Sequence, residues 1–408
     1  MGEFNIGVIR EQFPALGRTV GDCNAVFLDG PAGSQVPVRV AEEMTRVLLH
    51  CNANEGGVFA TSEETDALVE DGIATVASFY GVQDRNIVFG PNMTTLTFSF
   101  TRAVSQTLKP GDEVIVSTLD HDANVTPWVV AAKEAGATVR YIPLNEADCT
   151  LDMEAYRALL GPKTRWVAVG VAANSTGTVN PVREISALAH EVGAQVYVDA
   201  VHFGPHGLID IPELGCDALV ASAYKFFGPH MGMLWAREAH LLSLPAYKVR
   251  PATEELPFRW MTGTPSFSGI AGTAEAIRYI ASLGEDATDL RTQLQSAFER
   301  IRAYELSLMV PLIEGLSSNP EIKIWGITDP ERYDERVPTI SFTHARVRPR
   351  EIAVYLAERG IFSWSGNNYA LQFTESVGLE PNGAVRVGLL HYNTLEEVQR
   401  LVEAIGAL

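Results

Sequence analysis

Thr164-Arg-Trp-Val-Ala-Val-Gly170, a helix-patterned segment from about 182 to 192, and Gln195-Val-Tyr-Val-Asp199 together make one strand–helix–strand unit. The rhythm recurs upstream. Asn86-Ile-Val-Phe-Gly90 precedes a helix-length stretch, then come Asp112-Glu-Val-Ile-Val-Ser117 and a helical segment to Ala135. Thr138-Val-Arg-Tyr-Ile142 and a helical 152–160 complete the series, with Gly/Pro punctuation at 109–112 and 161–164. Short β-rich runs alternating with helical patterns predict an α/β fold built on a mostly parallel, buried sheet. Ligands of such sheets collect outside the carboxyl ends of the strands, so polar residues just after each run are the first site candidates. Past Pro265 the pattern changes. Helical stretches at about 269–283 and 286–317 precede the strand-like Val337-Pro-Thr-Ile-Ser-Phe342, a helix near 349–359, the strand-like Ala384-Val-Arg-Val-Gly388 and a closing helix from 395. The expected organisation is an arm at 1–25, a large domain at 26–265 and a smaller α+β domain at 266–408. The arm would complete the small domain or pack across a partner.

Composition narrows the function classes. The chain has 408 residues, 46% hydrophobic and 20% charged, which suits a globular enzyme and not a disordered chain. Its net charge of −19 and its lack of any Lys/Arg run argue against nucleic acid as a partner. No apolar stretch approaches the roughly 20 residues that span a bilayer, and the start, Met1-Gly-Glu-Phe-Asn-Ile, lacks a signal-peptide pattern. Cys23, Cys51, Cys149 and Cys216 are scattered with no CxxC pair, against a disulfide framework or zinc site. A cytoplasmic protein with reduced thiols is the expectation.

Six lysines are present, and five lie in turns or polar surroundings that suit solvated side chains. Lys225 differs. It sits in Ala218-Leu-Val-Ala-Ser-Ala-Tyr-Lys-Phe-Phe-Gly-Pro-His-Met-Gly232, with no acidic residue within seven positions on either side. Burying a cation there is costly, lowers the amine's pKa and makes it a nucleophile toward an aldehyde. A lysine snorkelling from a strand end would give the same local pattern. Upstream, Val196-Tyr-Val-Asp-Ala-Val-His202 places Asp199 at a strand end. A carboxylate of this kind, ahead of a buried lysine, is what pyridoxal 5'-phosphate (PLP) chemistry needs, because it keeps the pyridine nitrogen protonated. Alone, Asp199 would read as a cap or turn residue.

With these residues in order, the chain resembles the fold-type I PLP enzymes of the class V aminotransferase family, and within it the cysteine desulfurase and selenocysteine lyase branch. The likeness runs from Phe27-Leu-Asp-Gly-Pro-Ala-Gly-Ser-Gln35 to Arg386-Val-Gly-Leu-Leu-His-Tyr-Asn-Thr394. It implies a large domain with a seven-stranded sheet and a homodimer with shared active sites. Lys225 would carry the cofactor as an internal aldimine, Asp199 would face the ring nitrogen, and His121, in Leu119-Asp-His-Asp-Ala-Asn-Val-Thr-Pro-Trp128, would stack on the ring. His202 falls where the family usually has Gln, and Asn174 would lie near the ring oxygen and the substrate carboxylate. Asn92, Met93 and Thr94 align with the family's Gly-Thr-Thr at a helix N-terminus, a natural phosphate site; Met93 departs from that pattern. Ser222 and Tyr224 are further phosphate candidates, Thr264 would reach the phosphate from the other subunit, and Arg386 would fork the substrate carboxylate.

The likeness breaks at one place. Desulfurases carry a sulfur-accepting cysteine on a mobile loop, here Phe362-Ser-Trp-Ser-Gly-Asn-Asn-Tyr-Ala370, with Tyr369 at about that position. The segment carrying Cys51 would approach the site from a partner subunit, and a small buried residue is its simpler role. The reading is therefore an enzyme acting on an L-amino acid through aldimine and quinonoid intermediates, as a lyase of C–S or other Cα/Cβ bonds, without a persulfide relay. An aminotransferase and an aldol-type carbon–carbon bond-forming enzyme are the alternatives. The side-chain pocket would come from 52–59, including Phe59, from 260–267 and from 364–369. A degenerate PLP-binding regulatory module is the non-enzyme alternative. A nicotinamide-dependent dehydrogenase fails, since no GxGxxG follows a strand.

Overall fold

In the computed structural model, which describes residues 4–408, seven strands pair in one sheet. Their order is Ile87–Gly90, Gly232–Ala236, Ala218–Ser222, Gln195–Asp199, Thr164–Gly170, Glu113–Ser117 and Thr138–Ile142. All run in one direction except Gly232–Ala236, which is antiparallel to both neighbours. The central strands are buried along most of their length, and helices Met93–Ser105 and Val182–Glu191 pack on them. Buried, β-branched runs of this kind are stable only when covered on both faces. The carboxyl ends of five parallel strands therefore open on one edge, where the chain turns into the segments around Asn92, His121, Asn174, His202 and Lys225.

A second, antiparallel sheet of four strands follows in the order Ile322–Trp325, Thr339–His344, Ala384–Gly388, Trp364–Gly366. Its core of Ile340, Phe342, Ile352, Leu356, Val385, Val387 and Leu401 is separate from the larger one. The two cores meet along helix Leu290–Ser317: Leu294, Phe298 and Ile301 belong to the larger, Leu308, Leu312 and Leu316 to the smaller. Helix Phe267–Ala281 packs on Val38–His50 and Ala60–Tyr80, so packing groups it with the larger unit although it lies beyond the expected boundary at 265. Val26 joins the smaller core, and Val26–Phe27 pairs in parallel with Ile361–Phe362. The N-terminal segment folds back on its own chain. Phe13 packs edge-on against Phe227, Tyr279 and Tyr392, and Arg10 pairs with Glu397 at 3.0 Å.

Two element starts differ from the sequence pattern for local reasons. Pro338 has no N–H to give a ladder, and Val337 N–H bonds to Gly177 O, so the expected strand from 337 begins at Thr339. The helix expected from 286 begins at Leu290 because Asp289 caps it, accepting Thr292 N–H at 2.9 Å. Among the described residues, no helix is long and apolar enough to cross a membrane.

Candidate active site

Lys225 follows strand Ala218–Ser222 in a single 3-10 turn, with its side chain sealed from solvent and Nζ donating to the Pro31 carbonyl. Burial, aided by the nearby Arg386 guanidinium, lowers its pKa from 10.5 to about 7, against a smaller opposing pull from Asp199. A neutral amine is thus abundant at ordinary pH, as a carbonyl-directed nucleophile requires. Asp199 ends the neighbouring strand, and its Oδ1 accepts Val201 N–H at 2.8 Å. Burial raises it to about 6, with that hydrogen bond and Lys225 opposing.

Around this pair the strand ends assemble a small cleft with about 40 Å³ of free space, partly open to solvent, lined by Met93, Thr94, His121, Asn174, His202 and Tyr224 among others. His121 Nδ1 accepts Ala123 N–H at 3.0 Å, which puts the ring proton on Nε2. Burial, then Lys225 and Arg386, lower its pKa to about 3, so the ring is neutral. His202 is held through Nε2 to Thr339 Oγ1 at 2.9 Å and is also kept neutral, chiefly by burial. Asn174 donates through Nδ2 to Asn368 O at 2.8 Å, while its Oδ1 is buried without a partner. Arg386 lies beside it, donating Nη1 to Asn174 O at 2.9 Å and leaving Nε unpartnered.

At the helix Met93–Ser105, Asn92 is the N-cap and accepts Thr95 N–H at 2.9 Å; Met93 N–H goes to Ser222 Oγ at 2.9 Å. Thr94 lines the cleft between them with a first-turn N–H, and a helix N-terminus favours an anion there. Asn92 and Ser222 therefore shape this helix start, and neither lines the cleft itself. Tyr224 lines it and stacks on His230, with ring centroids 5.1 Å apart. Tyr369 is exposed, and its ring stacks on His121 with centroids 5.4 Å apart. Its carbonyl accepts Asp122 N–H at 2.7 Å, and both it and Asn368 sit at positive φ. Thr264 and Phe59 are exposed and do not line the cleft of their own chain.

Three contributors were not singled out from the sequence. Asp120, one residue before His121, lines the cleft and is buried. It accepts from Gly170 N–H (2.9 Å), Ser117 Oγ (2.8 Å) and Asn124 Nδ2 (2.7 Å), and burial raises it to about 7. Its signal was the Asp and Asn four apart after a strand. Pro31 supplies the carbonyl for Lys225, and Asp29 is the nearby carboxylate whose charge acts on Arg386. Both lie in the quoted 27–35 stretch. A Cβ at Gly33 would crowd the Tyr224 ring at 3.3 Å.

A depressed lysine amine, a buried carboxylate, a neutral imidazole, a helix N-terminus and unpartnered Asn174 and Arg386 atoms fit PLP with an amino-acid substrate. The sequence matches the aminotransferase class V family over residues 26–401, and the chain belongs to that family of PLP-dependent enzymes. It is 32% identical over 414 residues to the aminotransferase-like protein FGM3 of Gibberella zeae, covering 98% of each chain. It is 30% identical over 416 residues to a probable cysteine desulfurase of Synechocystis sp., covering 98% of this chain and 94% of that one. The solved cysteine desulfurase CsdA (S-sulfonic acid) of Escherichia coli superposes with a TM-score of 0.84 at 26% identity, over 100% and 98% of the two chains. The fold is that of fold-type I PLP enzymes.

Proposed function

We propose that the protein is a homodimeric, cytoplasmic lyase acting at Cα or Cβ of an L-amino acid, with C–S cleavage the leading reaction and no persulfide relay. The observation that carries this is Tyr369, which stands about where the family resemblance puts a sulfur-accepting cysteine and is stacked over His121. No cysteine lines the cleft. Cys51, Cys149 and Cys216 are buried, and burial pushes the Cys149 and Cys216 thiols up to about 12, far from thiolate. The cysteine desulfurase relatives support C–S chemistry, and the aminotransferase-like relative supports amino transfer as the alternative.

Bound at Lys225, the cofactor supplies an electron sink for negative charge developing at the substrate Cα. Lys225, Asp199, His121, His202, Met93, Thr94 and Tyr224 would hold it, with Ser222 and Asn92 setting the helix start behind Met93 and Thr94, and with Thr264 of a second chain. Arg386 receives the substrate carboxylate through a planar fork that lysine cannot copy. Asn174 Oδ1 offers an acceptor beside it. The Lys225 amine, titrating near neutrality, takes and returns the Cα proton. His121, neutral with its proton on Nε2, is a donor facing the same space.

The test is a panel of L- and D-amino acids, with and without keto acids, with products read by mass spectrometry. Free sulfide, or another Cβ product with a keto acid, and no protein-bound persulfide are expected. Amino transfer to an added keto acid as the main reaction would replace the lyase reading, and a persulfide that turns over on Cys51 would overturn the no-relay claim.

A further inference from the structure

His202 reaches the cleft just after strand Gln195–Asp199, and its two ring nitrogens have different surroundings. Nε2 lies 2.9 Å from Thr339 Oγ1, in the sealed seam where strand Thr339–His344 begins. Nδ1 has no hydrogen-bond partner among the described residues and is not sealed off by packing. The space that His202 borders is the cleft, so Nδ1 is the nitrogen open to it. Burial, then the charges of Lys225, His206, Arg386 and His121, keep the ring neutral. A neutral imidazole has one N–H donor and one bare acceptor nitrogen, so the bond at Nε2 decides what Nδ1 offers the cleft.

Thr339 governs that bond. It is fully buried, and its hydroxyl has one hydrogen-bond partner among the described residues, His202 Nε2. A hydroxyl can donate or accept. If it accepted Nε2–H, its own hydrogen would be buried without an acceptor, which is costly, and Nδ1 would face the cleft as a bare acceptor. If it donates to Nε2, that hydrogen is satisfied and the ring proton sits on Nδ1. The backbone around the hydroxyl is pinned: Thr339 N–H goes to Val337 O at 2.8 Å, and the Thr339 carbonyl takes Arg336 Nη2 at 2.7 Å. Gly388, paired with Thr339 across the sheet, leaves the hydroxyl room, since a Cβ there would meet Oγ1 at 3.2 Å. His121 holds the opposite tautomer, because Ala123 N–H occupies its Nδ1.

We propose that Thr339 is a positioning residue: its hydroxyl donates to His202 Nε2, fixes the Nδ1–H tautomer and makes His202 a hydrogen-bond donor toward an anionic oxygen of the bound cofactor. The inference rests on the reading that this cleft holds PLP, and it is independent of whether the reaction is C–S cleavage or amino transfer. PLP carries anionic oxygens, for which a bare Nδ1 would be a repulsive neighbour. A glutamine at 202 would bring an N–H₂ donor of its own, whereas a histidine brings one only in the right tautomer. The hydroxyl comes from the smaller sheet, whose next strand carries Arg386, so that sheet serves the cofactor as well as the substrate.

The test is nitrogen NMR of holoenzyme isotopically labelled at its histidine ring nitrogens. His202 is assigned by its loss in His202→Gln, and the protonated nitrogen is identified through couplings to the ring protons. A neutral His202 protonated at Nδ1 is expected; a proton on Nε2, or a cationic ring, would overturn the proposal. Thr339→Val should show both tautomers, and its apoprotein should take up PLP about three- to tenfold less tightly, the worth of one hydrogen bond. Thr339→Ser, which keeps the hydroxyl, should retain the Nδ1–H form and the affinity. In the His202→Gln background, Thr339→Val should change PLP affinity by less than about twofold, because the amide supplies its donor unaided. An equal loss in both backgrounds, or a pure Nδ1–H signal in Thr339→Val, would remove Thr339 from this role. The wild-type tautomer decides the matter should Thr339→Val fail to fold. A protein that takes up no PLP would defeat the cofactor reading, and the apoprotein spectrum would then report the tautomer separately.

Discussion

Lys225 shows how far one residue's neighbourhood can be read from sequence. A lysine with no acid nearby in a run of aromatic and small residues must either reach solvent or titrate low, and the fold takes the second course. The consequence for stability has a definite sign. Below about pH 7 both folded and unfolded chains hold the proton, and the folded chain bears the whole cost of a buried cation. Between about 7 and the unfolded value of 10.5 only the unfolded chain holds it, so the cost fades as pH rises. Apoprotein carrying Lys225→Met should therefore be more stable than wild type by about 1–3 kcal/mol near pH 6. The gain should shrink toward pH 10, as read from denaturant midpoints. A gain that did not change with pH would contradict the burial account. Asp120 was less legible. Its meaning depends on Gly170 and Ser117, and Gly170 comes to it from a different strand.

At the scale of elements, strand ends were legible and the loop over the cleft was not. Asp199, His121, Asn174 and Lys225 each follow a run whose composition marks it as a strand, so their convergence is a property of parallel topology. Segment 363–370 has no such period. Its placement comes from tertiary hydrogen bonds, Asn174 Nδ2 to Asn368 O and Asp122 N–H to Tyr369 O, which no local pattern announces. These bonds hold Asn368 and Tyr369 at positive φ, a conformation disfavoured for non-glycine residues. Tyr369→Ala should keep the backbone bond to Asp122 and lose the stack on His121. KM for the preferred amino acid should rise by about tenfold, a loss of contact energy near 1.4 kcal/mol, while bulkier side chains become accepted. Steady-state kinetics over the substrate panel checks this. An unchanged preference would remove Tyr369 from side-chain selection.

For the whole molecule, two cores sharing one long helix explain why the unit boundary could not be set from the change of pattern at Pro265. Helix Leu290–Ser317 keeps one continuous apolar face while its neighbours change. Leu49, Val58 and Phe59 are exposed at 71%, 95% and 57% around the end of helix Val38–His50 and the segment after it. In the proposed homodimer a second copy covering these side chains would also bring Thr264 and Phe59 into play. Light scattering should give a mass near twice 44.4 kDa, and Val58→Asp with Leu49→Asp should shift it toward one chain with loss of activity. A monomeric, fully active wild type would contradict the shared site. The most direct test of the account is reduction of the purified protein, expected to be yellow, with borohydride, followed by peptide mapping. A single pyridoxyl-modified peptide carrying Lys225 is the expected result. Modification of any other lysine, or a protein that neither holds PLP nor takes it up, would contradict the account.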